Sequence, residues 1–89
     1  MASRKIKIGG KQADLILDLS MVEGEWVYTV AVRDRENPVG VDDIEFIEGD
    51  GDRRVRAKNL MKQFLPAEEI ETMFWEVSDK RRRIMGVRM

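Results

Sequence analysis

The residue types that most often carry catalysis are missing from this chain, because it contains neither histidine nor cysteine. A general acid or base working near neutral pH would therefore have to be a carboxyl group whose pKa is shifted by burial. The carboxylates that lie close together in the sequence are Asp42, Asp43, Glu45, Glu48, Asp50 and Asp52. Their spacing lacks the ordered oxygen ligands of a calcium loop. We interpret them as a solvated strand face and turn, and a small hydrolase working through them is the least favoured function.

The other familiar chemistries fail on residue type or spacing. Zinc and other transition metals prefer thiolate and imidazole ligands, which this chain cannot supply. The serine and threonine hydroxyls have no neighbouring base in the sequence, and the IGGK segment at 8–11 is too short for a phosphate-binding loop. We therefore predict that the protein is not an enzyme and holds no metal or cofactor.

Positive charge is concentrated in the second half of the chain. Residues 1–52 hold 6 basic and 12 acidic side chains, whereas residues 53–89 hold 10 basic and 5 acidic ones. The two basic clusters are Arg53, Arg54, Arg56 and Lys58, at the start of one predicted helix, and Lys80, Arg81, Arg82 and Arg83, at the end of the next. If the helices are antiparallel, these clusters meet and form a patch able to bind phosphates, an RNA backbone or an acidic protein surface.

The basic clusters also have a simpler explanation. Basic residues stabilise helix C-termini, and the acidic first half of the chain can neutralise them. The net charge of −1 also argues against a purely electrostatic nucleic-acid binder. Arginines merged into one plane beside Trp75 would favour a charged partner. Neutralisation by acidic side chains would instead favour association with protein.

Trp75 is the most informative single residue for binding. The predicted core stripe of its helix is Ile70, Met73, Phe74 and Val77. Trp75 lies about 140° around the helix from Ile70, away from that stripe. Exposed tryptophans often dominate the binding energy of protein interfaces, although partial cover by the chain terminus is the alternative. The predicted partner-binding residues are Trp75, Arg53, Arg54, Arg56, Lys80, Arg81, Arg82 and Arg83.

The elements that position these residues begin with four predicted strands. Apolar and polar residues alternate over 4–8 and 14–22, with a glycine turn between them, and 25–33 is rich in aromatic and β-branched side chains. The apolar face of this third strand holds Trp26, Tyr28, Val30 and Val32. Its opposite face is mixed rather than plainly polar, which allows that face to be covered too. A polar loop at 34–40 precedes a fourth strand at about 43–48.

Two helices follow the strands. The stripe of the first is Ala57, Leu60, Met61, Phe64 and Leu65. We predict that this helix is capped by Asp52 and starts near Val55; the competing interpretation is that 54–56 extends a hairpin from the fourth strand. Pro66 suits the first turn of the second helix, which Gly86 ends, leaving a short tail at 87–89.

These patterns predict one α+β domain over residues 1–89. A four-stranded antiparallel β-meander at about 4–48 is followed by two C-terminal helices, at about 54–85, packed on one sheet face. A chain without cysteine, and without an apolar run long enough to cross a membrane, is expected in the cytoplasm. We expect a non-enzymatic protein-interaction module that self-associates through the second helix or a sheet edge. The alternative is a nucleic-acid-binding accessory protein that uses residues 53–58 and 80–83.

Overall fold

The chain forms four strands followed by two helices. The computed structural model describes residues 1–34 and 40–85, with all their side chains except those of 40–42, 80 and 82–85. The elements are β1 (Ala2–Ile8), β2 (Lys11–Val22), β3 (Glu25–Asp34), β4 (Gly40–Ile47), α1 (Gly51–Lys62) and α2 (Ala67–Met85). The predicted α+β class, a four-stranded antiparallel sheet followed by two helices, is confirmed.

The four strands form one sheet in the order β1-β2-β3-β4, and every neighbouring pair is antiparallel. The turn between β1 and β2 has positive φ at Gly9 and Gly10, and the turn between β2 and β3 has it at Glu23 and Gly24. Two successive positive φ values give a two-residue turn the twist that antiparallel strands need. The meander therefore follows from local turn chemistry.

The helices cover one face of the sheet, and the alternation along β2 shows which face it is. Leu15, Leu17 and Leu19 are fully buried, whereas the residues between them are only half-buried. The helices add Ala57 and Met61 from α1, and Ile70, Met73, Phe74 and Val77 from α2, to the same cluster of buried side chains. Every member of the predicted stripe of α2 is thus in the core.

α1 begins earlier than the sequence pattern indicates. Asp50, and not Asp52, is the N-cap, because its carboxylate accepts the backbone N–H of Arg53 at 3.1 Å. The helix starts at Gly51 rather than near Val55, and the hairpin alternative for this segment is wrong. The side-chain cap, together with Asp52 in the first turn, offsets the unfavourable position of arginines at the positive end of a helix.

The other boundaries shift by a few residues, because pairing within the sheet extends strands beyond the clearest alternation. β1 starts at Ala2 rather than residue 4, and β2 starts at Lys11 rather than residue 14. The predicted loop at 34–40 loses its two end residues to β3 and β4, and 35–39 lies outside the described residues. β4 ends at Ile47, so Glu48 belongs to the turn that follows it.

The junction between the helices differs from the prediction in two details. α1 ends at Lys62, so Phe64 and Leu65 of its predicted stripe follow the helix and are partly buried against the core. The carbonyl of Pro66 accepts the N–H of Ile70 at 3.2 Å, so this proline stands just before α2 rather than in its first turn. The predicted stop at Gly86 and the tail at 87–89 lie outside the described residues.

Arg4 fixes the orientation of α2 over β1. Its guanidinium donates to Oε1 of Glu76 at 2.6 Å and to Oε1 of Glu69 at 2.5 Å. The hydrogen bonds to Glu76 and to Glu69 raise the pKa of Arg4 above its ordinary value, because they stabilise the charged guanidinium. Because the two glutamates are two turns apart on one flank of the helix, this contact holds that flank of α2 against β1.

Candidate partner-binding surfaces

Trp75 lies on the solvent-facing side of α2. Its side chain is 66% exposed, which confirms the exposure that the helical spacing predicted. The residues one turn away in either direction are all polar: Glu71, Thr72, Ser78 and Asp79. We call these four residues and Trp75 the α2 crest.

The remaining sides of α2 are occupied by the protein itself. One side is in the core, and Arg4 holds the flank over β1. On the other flank, Nζ of Lys58 donates to Oε2 of Glu71 at 3.0 Å and ties α2 to α1. The α2 crest is therefore a surface presented by a helix that is fixed from three directions.

Arg54 covers an aromatic cluster at the boundary of the core. Its guanidinium carbon lies 5.3, 5.8 and 5.1 Å from the ring centroids of Tyr28, Phe46 and Phe74. The rings of Tyr28 and Phe46 are stacked, with centroids 5.0 Å apart. A cation at this distance from an aromatic face is attracted by the quadrupole of the ring. Arg54, one of the predicted partner-binding arginines, is thus already in contact with aromatic rings of its own chain.

Glu48 stands where the two basic clusters meet. Its Oε2 lies 3.7 Å from Nη1 of Arg54 and 3.7 Å from Nη1 of Arg81. The helices therefore bring the start of α1 close to the end of α2, as the antiparallel arrangement predicted. They do so around an acidic side chain, which neutralises part of the positive charge.

The surroundings of the other predicted binding residues differ from one residue to the next. The carboxylate of Asp50 lies 3.7 Å from Nε of Arg53, whose Nη1 also donates to the carbonyl of Glu45 at 3.3 Å. Arg56 is exposed and lines a shallow depression beside β4. The side chains of Lys80, Arg82 and Arg83 lie outside the described residues. Where the arginines are described, acidic groups accompany three of the four, the arrangement that we expected to favour association with protein.

The acidic segment at the end of the meander makes structural contacts. Asp43 accepts a hydrogen bond from Arg33 at 3.2 Å, Glu48 joins the basic clusters, and Asp50 caps α1. The side chain of Asp42 lies outside the described residues. Across the described ranges, acidic side chains do not gather in a group of three or more that could hold a metal ion.

A second candidate surface is the sheet face turned away from the helices, which we call the open sheet face. It consists of Ser3, Lys5 and Lys7 of β1, Gln12, Asp14, Ile16, Asp18 and Ser20 of β2, Val27, Thr29, Ala31 and Arg33 of β3, and Asp43, Glu45 and Ile47 of β4. Ala31, at its centre, is only 3% exposed. Sequence reasoning assigned no role to this face, although the mixed pattern of β3 was a signal for it.

Replacing Arg54 by alanine should lower the free energy of unfolding by about 1–2 kcal/mol, since three ring contacts and a partly exposed ion pair are lost. Arg53→Ala removes an equal charge at the neighbouring position, where the side chain is 60% exposed, and should cost less than about 0.5 kcal/mol. Urea denaturation measures both costs. Equal costs at the two positions would contradict the packing role of Arg54.

Comparison of the chain with models of protein families, with curated proteins and with solved structures finds no match. None of the helices in the described residues is long and apolar enough to cross a membrane. The two surfaces must therefore be interpreted from their own geometry.

Proposed function

We propose that this protein is a non-enzymatic protein-interaction module that binds a protein partner through the α2 crest and also associates with a second copy of itself. The observation that carries this proposal is the exposure of Trp75 on a helix whose other sides are fixed. Tryptophan is among the residues most enriched at binding hot spots, because one side chain buries a large apolar area.

The polar surroundings of Trp75 support a binding role. Protein interfaces commonly place an aromatic side chain at the centre and polar groups at the rim. In the α2 crest, Glu71 and Thr72 precede Trp75 by one turn, and Ser78 and Asp79 follow it. Because α2 is already held by the core, by Arg4 and by Lys58, little ordering entropy would be lost when a partner binds.

The nucleic-acid alternative has less support among the described residues. Arg54 and Arg81 share Glu48, and Arg54 also packs on aromatic rings. An arginine engaged in this way is less able to release counterions from a phosphate backbone. The alternative would require steeply salt-dependent binding that weakens when Arg54 and Arg82 are removed.

A competition experiment tests the α2 crest. A photoreactive amino acid at position 72, one turn from Trp75 in the α2 crest, is cross-linked in an extract of the source cells, with unlabelled protein added as competitor. We expect unlabelled wild-type protein to suppress a discrete cross-linked product and Trp75→Ala to need about tenfold more protein for the same effect, since loss of an interface tryptophan costs more than about 1 kcal/mol.

Met21→Ala is the matched control, because Met21 is another exposed apolar residue, 52% exposed, and lies in β2 rather than in the α2 crest. It should compete like wild-type protein. If Trp75→Ala and Met21→Ala compete equally well, the α2 crest is not the binding surface.

A further inference from the structure

Among the residues that the structure describes, no second layer covers the open sheet face. The helices pack only on the opposite face, where the core lies. Half-buried Ile16 lies beside buried Ala31 at the centre of the open sheet face, and half-buried Val27 lies two rows further along β3. An antiparallel sheet can leave a polar face in solvent, but apolar side chains on that face gain free energy when a second layer covers them.

The open sheet face carries charges of both signs. One row alternates in sign, from Lys5 of β1 through Asp14 of β2 to Arg33 of β3. In another row Thr29 separates two acidic side chains, Asp18 and Glu45, and the amino group of Met1 approaches Asp18 at 3.8 Å. The face thus carries acidic and basic groups in an ordered pattern rather than a field of one sign.

The sheet edges are less suited to self-association than the face. The outward residues of β1 are Lys5 and Lys7, and those of β4 include Asp43 and Glu45. Pairing an edge with its own copy would place like charges together, and charged edge strands are a common protection against such pairing. Pairing β1 of one copy with β4 of another would leave one edge of each copy unpaired, so it would build an open chain of copies rather than a closed dimer.

We infer that the open sheet face binds the same face of a second copy, around a two-fold axis that runs parallel to the strands between β2 and β3. This inference rests on the self-association in the proposed function. Such an axis places β2 of one copy over β3 of the other, and β1 over β4. A residue of β2 then faces, in the second copy, the β3 residue that is its own cross-strand partner.

The pairing produced by this axis is complementary in both charge and size. Asp14 faces Arg33 of the second copy, and Arg33 faces Asp14 of the second copy. Ile16 faces Ala31 of the second copy, so a large apolar side chain meets a small one. Ser3 faces Asp43 of the second copy, and no like charges face each other among these residues.

The other two-fold axis in the plane of the face is unfavourable. An axis perpendicular to the strands, centred on the row of Ile16 and Ala31, keeps each strand over its own copy. It would place Asp14 over Asp18 of the second copy, since these residues flank Ile16 along β2. Two facing carboxylates repel, so the charge pattern favours the axis parallel to the strands over this one.

The facing area suits a weak dimer. The axis places β2 over β3 along about eight residues at 3.4 Å, but β1 over β4 along only about four, so four strands at about 4.8 Å spacing give roughly 400 Å² of facing area per copy. Two such faces reach about 800 Å² in total, the size of a weak interface. The α2 crest would remain outermost on both copies, so the dimer would present Trp75 twice.

Two charge reversals, measured singly and mixed, test the inference. Multi-angle light scattering after size exclusion gives the mass over about 10 μM to 1 mM, the range in which modest interfaces dissociate. Wild-type chains of 10.3 kDa should form a species of twice that mass. Asp14→Arg and Arg33→Asp each place like charges face to face twice, and each should dissociate the dimer about 100-fold more readily.

An equimolar mixture of Asp14→Arg and Arg33→Asp chains should recover the dimer, because every facing pair is then of opposite charge. Lys62→Glu, a reversal on α1 away from the sheet, should keep the wild-type mass, and circular dichroism verifies that each variant is folded. A wild-type monomer at all concentrations would overturn both the inference and the proposed self-association. A wild-type dimer that withstands both single reversals, or a mixture that stays monomeric, would overturn only the assignment of the sheet face and axis.

Discussion

Replacing Phe74 by alanine should lower the free energy of unfolding by about 3–5 kcal/mol, the usual cost of removing a buried aromatic side chain. Phe74 is only 5% exposed and packs with Tyr28 and Phe46, at centroid distances of 5.6 and 6.3 Å. Its ring also lies beneath Arg54 and Lys58, whose cationic groups are 5.1 and 5.2 Å from the centroid. The substitution therefore removes both apolar burial and the platform for two cations.

Trp75→Ala is the matched control for Phe74→Ala. The two aromatic residues are adjacent on α2, but Trp75 is 66% exposed, so its replacement should cost at most about 1 kcal/mol. Urea denaturation followed by circular dichroism measures both values in the folded 89-residue chain. Similar costs at the two positions would mean that Trp75 belongs to the folded structure, and the α2 crest would lose its basis as a binding surface.

The sheet and α2 could be predicted from the sequence because their patterns are consistent with their packing. Along β2 the residues that alternate toward the helices, such as Leu15 and Leu19, are the ones that are buried. In α2 the spacing of Ile70, Phe74 and Val77 matches one side of a helix, and all three residues are in the core. Turn residues such as Gly24 add a local signal that agrees with the pairing.

α1 was harder to predict because polar residues occupy sites where its pattern should be apolar. Arg54 packs on aromatic rings, whereas Val55 is 59% exposed to solvent. By residue type, the arginine is expected at the surface and the valine in the core. Instead, Arg54 lies at the boundary of the core and Val55 is exposed. The start of the helix depended on Asp50 as a side-chain cap, and Asp52 two residues later is an equally good candidate by residue type.

The candidate surfaces could be predicted only in part. The exposure of Trp75 follows from its angle on α2, because the helix is regular and its core stripe is clear. The proximity of Arg54 and Arg81 also followed from antiparallel helices, but the position of Glu48 between them depends on tertiary structure. The charge pattern of the open sheet face requires the register of all four strands. The two-residue turns set the register of β1, β2 and β3, but no such turn sets that of β4, which shifts between Ala31 and Arg33.

Leu17→Ala should lower the free energy of unfolding by about 2–5 kcal/mol, because Leu17 is completely buried beneath the helices. Ile16→Ala removes a similar apolar side chain from the adjacent position of β2, but on the open sheet face. In the monomer it should cost no more than about 1 kcal/mol, chiefly from weaker β propensity. Chemical denaturation at low protein concentration measures both costs, and a larger cost at Ile16 would contradict the assignment of the core face.

The dependence of the melting temperature on protein concentration distinguishes the substitutions at these two positions further. If two copies dimerise through the open sheet face, the melting temperature of the wild-type chain rises with concentration, because association stabilises only the folded state. Leu17→Ala should lower the melting temperature at every concentration and keep this dependence. Ile16→Ala should weaken or abolish the dependence, since Ile16 loses its contact with Ala31 of the second copy while the core stays intact. A concentration dependence that survives Ile16→Ala unchanged would place the dimer contact elsewhere on the protein.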